Sequence, residues 1–304
     1  MINVAVVGTG SIGRHHARIF SGIEDVNLIA IVDTDTERAR ELASQYNCEA
    51  LSNYKDIIDS VDAVSIAVPT TLHFQVGMDF LKNNKDLLIE KPITTTIEEA
   101  RELIEESEKR NLILQVGHLE RFNSGVSLIS KMVEKPQFIE SQRLSPFLGR
   151  GTDVDVTLDL MIHDIDIILS LVNSEISDLR ATGAKVLTEN IDVAHAWIEF
   201  KNGCIAEAVT SRIASDKVRQ LKIFQHNSYL DLDYQRQEIV CHTKKGDSIG
   251  KEIKKPLEKE PLKEQLVSFV DCVKNRTRPV VSGFEGKEAL KVALKISGLV
   301  HQSL

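Results

Sequence analysis

At 304 residues the chain has room for about two domains. Its 42% apolar and 27% charged residues are ordinary for a soluble globular protein. A formal net charge of −8 argues against nucleic acid or a membrane surface as the main partner, though it leaves room for a local basic pocket.

The four cysteines, Cys48, Cys204, Cys241 and Cys272, form no CxxC pair and match neither a zinc site nor a disulfide framework. They read as reduced thiols. The chain enters a strand at Ile2 with no signal-peptide pattern, and no apolar run reaches the length of a membrane span, so a cytoplasmic protein is expected.

The first 120 residues alternate strand and helix. Ile2–Val7, Leu28–Val32, Ala63–Val68, Leu87–Ile89 and Leu112–Val116 are short apolar runs, and helical patterns lie between them. Thr96 and Glu99 form a capping box before the stripe Ile97, Ala100, Ile104. This alternation predicts a parallel sheet covered on both faces. From residue 121 the pattern changes. After a connecting helix and the helix Thr157–Leu171, strand-like runs with hairpin signals predict a mostly antiparallel sheet with helices on one face. The lysine-rich stretch Lys244–Lys259 reads as a solvated loop, and two helices close the chain. The expected division is 1–120 and 121–304.

Gly8-x-Gly10-x-x-Gly13 follows a buried strand and opens a helix, the context a dinucleotide phosphate loop needs. Gly8 permits the turn, Gly10 lets a pyrophosphate approach the backbone, and Gly13 lets the helix pack on the strand. The N–H groups at the helix start, from Ser11 and Ile12 onward, would hold the anion. Asp33 lies 20 residues after Gly13, placed to bond a ribose 2′-hydroxyl and repel a 2′-phosphate, which favours NAD over NADP. Arg38 dissents, from a helical turn further on.

At the carboxyl edge of the expected sheet lie Pro69, Thr70 and His73, then Glu90-Lys91-Pro92. A lysine beside a buried strand can be a surface group, or a desolvated cation that polarises a substrate oxygen. Glu90 can fix it and Pro92 stiffens the turn. In "DVDVTLDLMIHDIDIILSL", Asp159 and His163 share a helix face and Asp166 stays on that side. His163 suits a proton shuttle near neutrality. A zinc site is the alternative, but no further Cys or His ligand is offered nearby and a nicotinamide needs no metal.

The phosphate loop, Asp33, Glu90-Lys91-Pro92, Asp159-x-x-x-His163 with Asp166, and the closing "PLKEQLVSFVDCVKNRTRPVVSGFEGKEALKVALKIS" together resemble the glucose–fructose oxidoreductase, inositol dehydrogenase and MocA family (Gfo/Idh/MocA). The resemblance covers nearly the whole chain. It implies a Rossmann NAD-binding domain followed by an α/β domain for substrate and oligomerisation. The open sheet of that second domain would pair subunits into homodimers or homotetramers. It also implies that Lys91, Asp159 and His163 form the catalytic group. The stretch Thr152–Val156 departs from the glycine-rich lead-in of many members. "LQVGHLERFN" and "DLMIHDIDIILSL" are most similar to bacterial UDP-N-acetylglucosamine 3-dehydrogenases of amino-sugar and lipid A pathways. On that resemblance the substrate is a sugar nucleotide, with Arg121, Arg143, Arg150 and Asp166 as candidate contacts. Free sugars or inositols are rival substrates, and a non-catalytic NAD-binding regulator is the rival class.

Overall fold

The computed structural model describes residues 1–149 and 151–304; Arg150, a candidate diphosphate contact, lies outside the described residues. In chain order the first elements are β1 (Ile2–Val7), α1 (Gly13–Phe20), β2 (Val26–Val32), α2 (Thr36–Tyr46), β3 (Glu49–Leu51), β4 (Ala63–Ile66) and α3 (His73–Lys82). Then come β5 (Asp86–Glu90), α4 (Ile97–Lys109), β6 (Leu114–Gly117), α5 (Ser124–Ser130), β7 (Pro136–Leu144) and α6 (Ile162–Val172). Seven strands follow: β8 (Ile176–Ala184), β9 (Val193–Phe200), β10 (Ile205–Ser211), β11 (Val218–Gln225), β12 (Ser228–Asp233), β13 (Glu238–Lys245) and β14 (Ser248–Lys254). The last elements are α7 (Pro261–Asn275) and α8 (Gly283–Ser303).

Two compact units result, Met1–Leu119 with Leu262–Lys287, and Glu120–Pro261 with Glu288–Leu304. The first holds a six-stranded parallel sheet in the order β3-β2-β1-β4-β5-β6. β4 and β5 are buried along their whole length, as strands covered on both faces must be. The order reverses between β1 and β4, and the carboxyl ends there form the switch point at which such sheets bind ligands. The capping box at the start of α4 is present, Thr96 accepting from the Glu99 amide while Glu99 reaches back.

The contiguous block 121–304 is not one compact unit. Leu266, Phe269, Val270 and Val273 recur along one face of α7 and pack into the core with Val4, Ile31 and Leu88. Arg276 fastens the end of this segment, donating to Asp86 at 2.6 Å and to the carbonyl of Asn111. The amide of Val116 donates to Val281.

The second unit holds an eight-stranded sheet in the order β14-β13-β12-β11-β7-β10-β9-β8. Only β7 and β10 run parallel. One face buries Ala196, Ile198, Leu221, Ile223 and Leu232 with Ile162, Ile165 and Ile168 of α6 and Ala293 and Ile296 of α8. The other carries a row of rings across five strands: Trp197, Phe138, Phe224, Tyr229 and His242, with successive centroids 5.9, 5.8, 4.8 and 5.6 Å apart. Of the stretch Lys244–Lys259, expected as a loop, residues 244–254 instead form the far side of the β13–β14 hairpin, and only 255–259 lack regular structure. Ile249 and Ile253 stay exposed, so nothing in the side-chain pattern marks this edge strand.

Candidate active site

Three glycines shape the turn after β1. Gly8 has φ +94°, and a Cβ on it would lie 2.6 Å from the backbone of Ala67. A Cβ on Gly13 would lie 1.9 Å from the Gly8 carbonyl oxygen. Gly10 is exposed, and its missing side chain would meet nothing within 4 Å. The open side of the turn is thus bare backbone, which suits a pyrophosphate that must approach closely. Ser11 is exposed beside it and Ile12 is partly exposed.

Asp33 directly follows β2 and is buried. Its Oδ2 accepts from the Thr9 amide at 2.7 Å and the Thr9 hydroxyl at 2.5 Å. Its Oδ1 accepts from the Asp35 amide and from Arg38 Nη2, both at 2.9 Å. Burial alone would raise this carboxyl, but these donors outweigh it and bring it down to about 2. Four donors fill a carboxylate's acceptor sites. A ribose hydroxyl would therefore take the place of Arg38, whose side chain is half exposed and also donates to Thr9 at 3.0 Å. Arg38 is in direct contact with the acid, not set apart by a helical turn.

Lys91 follows β5 and is partly exposed; the Lys91–Pro92 peptide bond is cis. Beneath it, the buried Glu90 carboxylate faces His16 Nε2 at 3.3 Å and accepts from the Lys91 amide at 3.3 Å. His16 Nδ1 bonds Ser65 at 2.7 Å. A Cβ on Gly117 would fall 2.5 Å from Glu90 Oε1, so only glycine leaves space for that carboxylate. Burial pushes Glu90 up, but His16 and Lys91 beside it outweigh this and keep it below the ordinary carboxylate range. Expected as a cofactor contact, His73 is fully buried, with Nδ1 2.9 Å from the Pro92 carbonyl and Nε2 2.9 Å from the Val68 carbonyl. Burial keeps its imidazole below the ordinary value. It ties together the turns after β4 and β5, leaving Pro69 exposed and Thr70 partly exposed at the rim.

In the second unit, Asp159 lies on a π-helical turn, Thr157–Met161, that runs into α6. Such turns recur at functional sites because they re-aim side chains within a helix. The Asp155 carbonyl accepts from the amides of Leu158 at 3.0 Å and Asp159 at 3.1 Å. Its carboxylate accepts from the Ile191 amide and from His301, each at 2.9 Å, and from the Ser297 hydroxyl. Gly151 has φ +65°, and a Cβ there would sit 2.8 Å from Asp159 Oδ2. Arg212 donates to the carbonyls of Gly151 and Val154 at 2.6 Å each. So the lead-in keeps a glycine in the left-handed region despite the stretch Thr152–Val156. His163 and Asp166 are buried and Asp159 partly exposed. Among the described residues no group of three or more His, Cys, Asp or Glu is arranged to hold a metal ion. No helix there is long and apolar enough to cross a membrane.

Residues 2–118 match the family model described as "Oxidoreductase family, NAD-binding Rossmann fold". Residues 136–230 match the "GFO/IDH/MocA C-terminal domain". A UDP-N-acetylglucosamine 3-dehydrogenase from Acidithiobacillus ferrooxidans is 32% identical, with 100% of this chain and 98% of that protein covered. The chain belongs to the Gfo/Idh/MocA oxidoreductase family. The crystallised enzyme of that name matches with a TM-score of 0.94 at 31% identity over 99% of this chain and 98% of that one. A myo-inositol 2-dehydrogenase from Thermotoga maritima is 28% identical, over 95% of this chain and 93% of that protein.

Within this Gfo/Idh/MocA chain, two arginines picked as diphosphate contacts already have acidic partners. Arg121 pairs with Asp166 at 3.3 Å. Arg143 is buried, with Nε and Nη2 on Asp164 at 2.7 and 2.9 Å and Nη1 on Glu120 at 2.9 Å. Its guanidinium also lies over the Tyr234 ring. Burial weakens the Arg143 cation, but Asp164 and Glu120 outweigh it and raise the group beyond its ordinary value. Arg143 thus braces α6 against β7. Sequence reasoning missed His16, Asp164 and Arg212. Only Asp164 left a signal, as a second acid beside Asp166 in a helix that is mostly apolar.

Proposed function

We propose that the protein is a cytoplasmic, NAD-dependent dehydrogenase of a sugar ring hydroxyl, acting on the 3-hydroxyl of a UDP-N-acetylhexosamine such as UDP-N-acetylglucosamine to give the 3-keto sugar. The observation that carries the redox reading lies within the first unit. A phosphate turn, its ribose-binding acid and a lysine on a buried support all sit at the carboxyl edge of one parallel sheet. The choice of substrate rests on the full-length similarity to the Acidithiobacillus enzyme. Four unbridged cysteines are in keeping with a reducing compartment.

The turn Gly8–Gly13 and Asp33 would hold the dinucleotide, which would supply the acceptor for the hydride that leaves the carbon bearing the hydroxyl. Lys91 holds the substrate oxygen and stabilises the charge that gathers there. His163 takes the hydroxyl proton as the carbon–oxygen bond becomes a carbonyl, and Asp159 orients the imidazole. A positioned base of this kind contributes about 10²–10⁴-fold. Asp33 supports NAD over NADP, since its carboxylate, held near 2, remains charged at neutral pH.

Thermal melting with UDP alone tests the substrate. At about 100 times its dissociation constant, UDP will stabilise the protein by about 2.7 kcal/mol, raising Tm by about 5 °C. NADH absorbance with UDP-N-acetylglucosamine will rise with NAD as oxidant and much less with NADP. The inositol-type relative favours a second reading. A protein indifferent to UDP that reduces NAD with an inositol would be of that kind.

We further propose that subunits pair through the aromatic face of the eight-stranded sheet. Aromatic side chains are enriched where proteins associate, and an unbroken row of five rings on one sheet face supports an association surface there. Sedimentation velocity will show a dimer or tetramer, and Phe224→Glu will shift it toward monomer; a wild-type monomer at micromolar concentration rules this out.

A further inference from the structure

Arg219 lies on β11 directly opposite Arg143 on β7, and the two guanidinium groups are treated very differently. Arg143 is matched by two carboxylates. Arg219 meets only neutral acceptors, the carbonyls of Leu144 at 2.8 Å and Val218 at 3.1 Å and the hydroxyl of Ser145 at 2.8 Å. No carboxylate among the described residues pairs with it. Burial and the like charge of Arg143 pull Arg219 down to about 10, against the weaker opposing pull of Asp164, Glu120 and Asp159. A partly buried cation in that position is short of an anion.

Arg219 lines a cavity of about 440 Å³ with Lys217, Gln220, Asp233 and Arg236. Arg236 is already offset by Asp233 at 3.6 Å. Lys217 and Arg219 remain, a local surplus of two positive charges in a chain of net charge −8. Two charges match the two phosphate charges of a sugar nucleotide. A fork-shaped guanidinium with fixed carbonyl contacts is the better suited of the two to a phosphate's paired oxygens. Arg219 and the candidate catalytic Asp159 both belong to the second unit. In a nucleotide sugar the diphosphate is attached at the anomeric carbon, two ring bonds from the carbon that bears the 3-hydroxyl.

We propose that the Arg219–Lys217 cavity is the subsite for the phosphate ester of the substrate, the diphosphate of a nucleoside diphosphate sugar, with Arg219 its principal ligand. This rests on the reading of the protein as a nucleotide-sugar dehydrogenase. The diphosphate thereby becomes a specificity element that free sugars and inositols cannot engage.

The test compares wild type, Arg219→Gln and Arg219→Lys with UDP-N-acetylglucosamine, N-acetylglucosamine 1-phosphate and UDP. Arg219→Gln will raise KM for UDP-N-acetylglucosamine by about 10- to 100-fold, the usual worth of a charge-assisted phosphate contact, with kcat changed only a few-fold. It will lose the melting shift given by UDP and keep the wild-type affinity for NADH. Arg219→Lys will recover part of both. Should Arg219→Gln fail to fold, Arg219→Lys and Lys217→Gln carry the comparison, each with a raised KM. Unchanged KM and an unchanged UDP shift in the folded variants overturn the subsite while leaving the nucleotide-sugar reading intact. A wild type that ignores UDP but oxidises an inositol overturns both. If the sugar phosphate alone is turned over, the anion is a monophosphate and the nucleoside assignment falls.

Discussion

Lys91→Ala will lower turnover by at least about 10³-fold, while NADH titrated by fluorescence quenching binds with near wild-type affinity. The reasoning starts below the residue. Glu90 is buried, flanked by His16 and by space that only Gly117 leaves, and accepts from the Lys91 amide. His73 fixes the following carbonyl of Pro92. A surface lysine has no need of such support. The support fixes where the lysine's backbone stands, and a cation so placed acts on charge that develops on a substrate oxygen. Alanine removes the cation and leaves the buried frame untouched, so Tm will stay within a few degrees of wild type. Lys91→Arg will not restore turnover, because a planar fork cannot replace a compact point charge at a strand end. Near-normal turnover of Lys91→Ala would remove the lysine from the chemistry.

Gly13→Ala will cost the protein its cofactor and part of its stability together. The new methyl would sit 1.9 Å from the Gly8 carbonyl oxygen, a backbone atom with nowhere to go, since the Gly8 amide is held by Val32 at 2.8 Å. The turn must open or α1 must slide, and overpacking of this kind costs about 1–3 kcal/mol or more. NADH affinity is expected to fall at least about 100-fold, with Tm lowered by several degrees. Gly10→Ala separates the two effects. Nothing lies within 4 Å of its added methyl, so this variant will melt like wild type yet bind NADH poorly, the methyl occupying the ground of the pyrophosphate. Tight NADH binding by both variants would rule out this turn as the phosphate site.

What could be read from the sequence follows from how each feature is encoded. The parallel sheet was legible because strands buried on both faces are nearly continuous apolar runs, as in β4 and β5. The tight glycine turn after β1 and the buried acid beside it were legible because glycine and acid stand at a spacing that few other structures require. β14 was not, because an edge strand with exposed side chains leaves no alternation to find. The environment of His73 escaped notice for a different reason: both its ring nitrogens meet backbone carbonyls, which carry no side-chain signature. Arg143 and Arg219 look alike in a sequence and differ only in what surrounds them, two carboxylates in one case and neutral oxygens in the other. Such differences are made by tertiary contacts between residues 20 to 80 positions apart, roughly the span over which local pattern is silent.

The return of α7 to the first sheet bears on how the polypeptide is made. While it emerges from the ribosome, its amino-terminal half lacks the apolar stripe that Leu266, Phe269, Val270 and Val273 later lay over Val4, Ile31 and Leu88. A nascent chain that has reached only residue 260 still shows that surface to water. The core of the first unit can therefore be completed only after the strands β7 to β14 of the second have been synthesised.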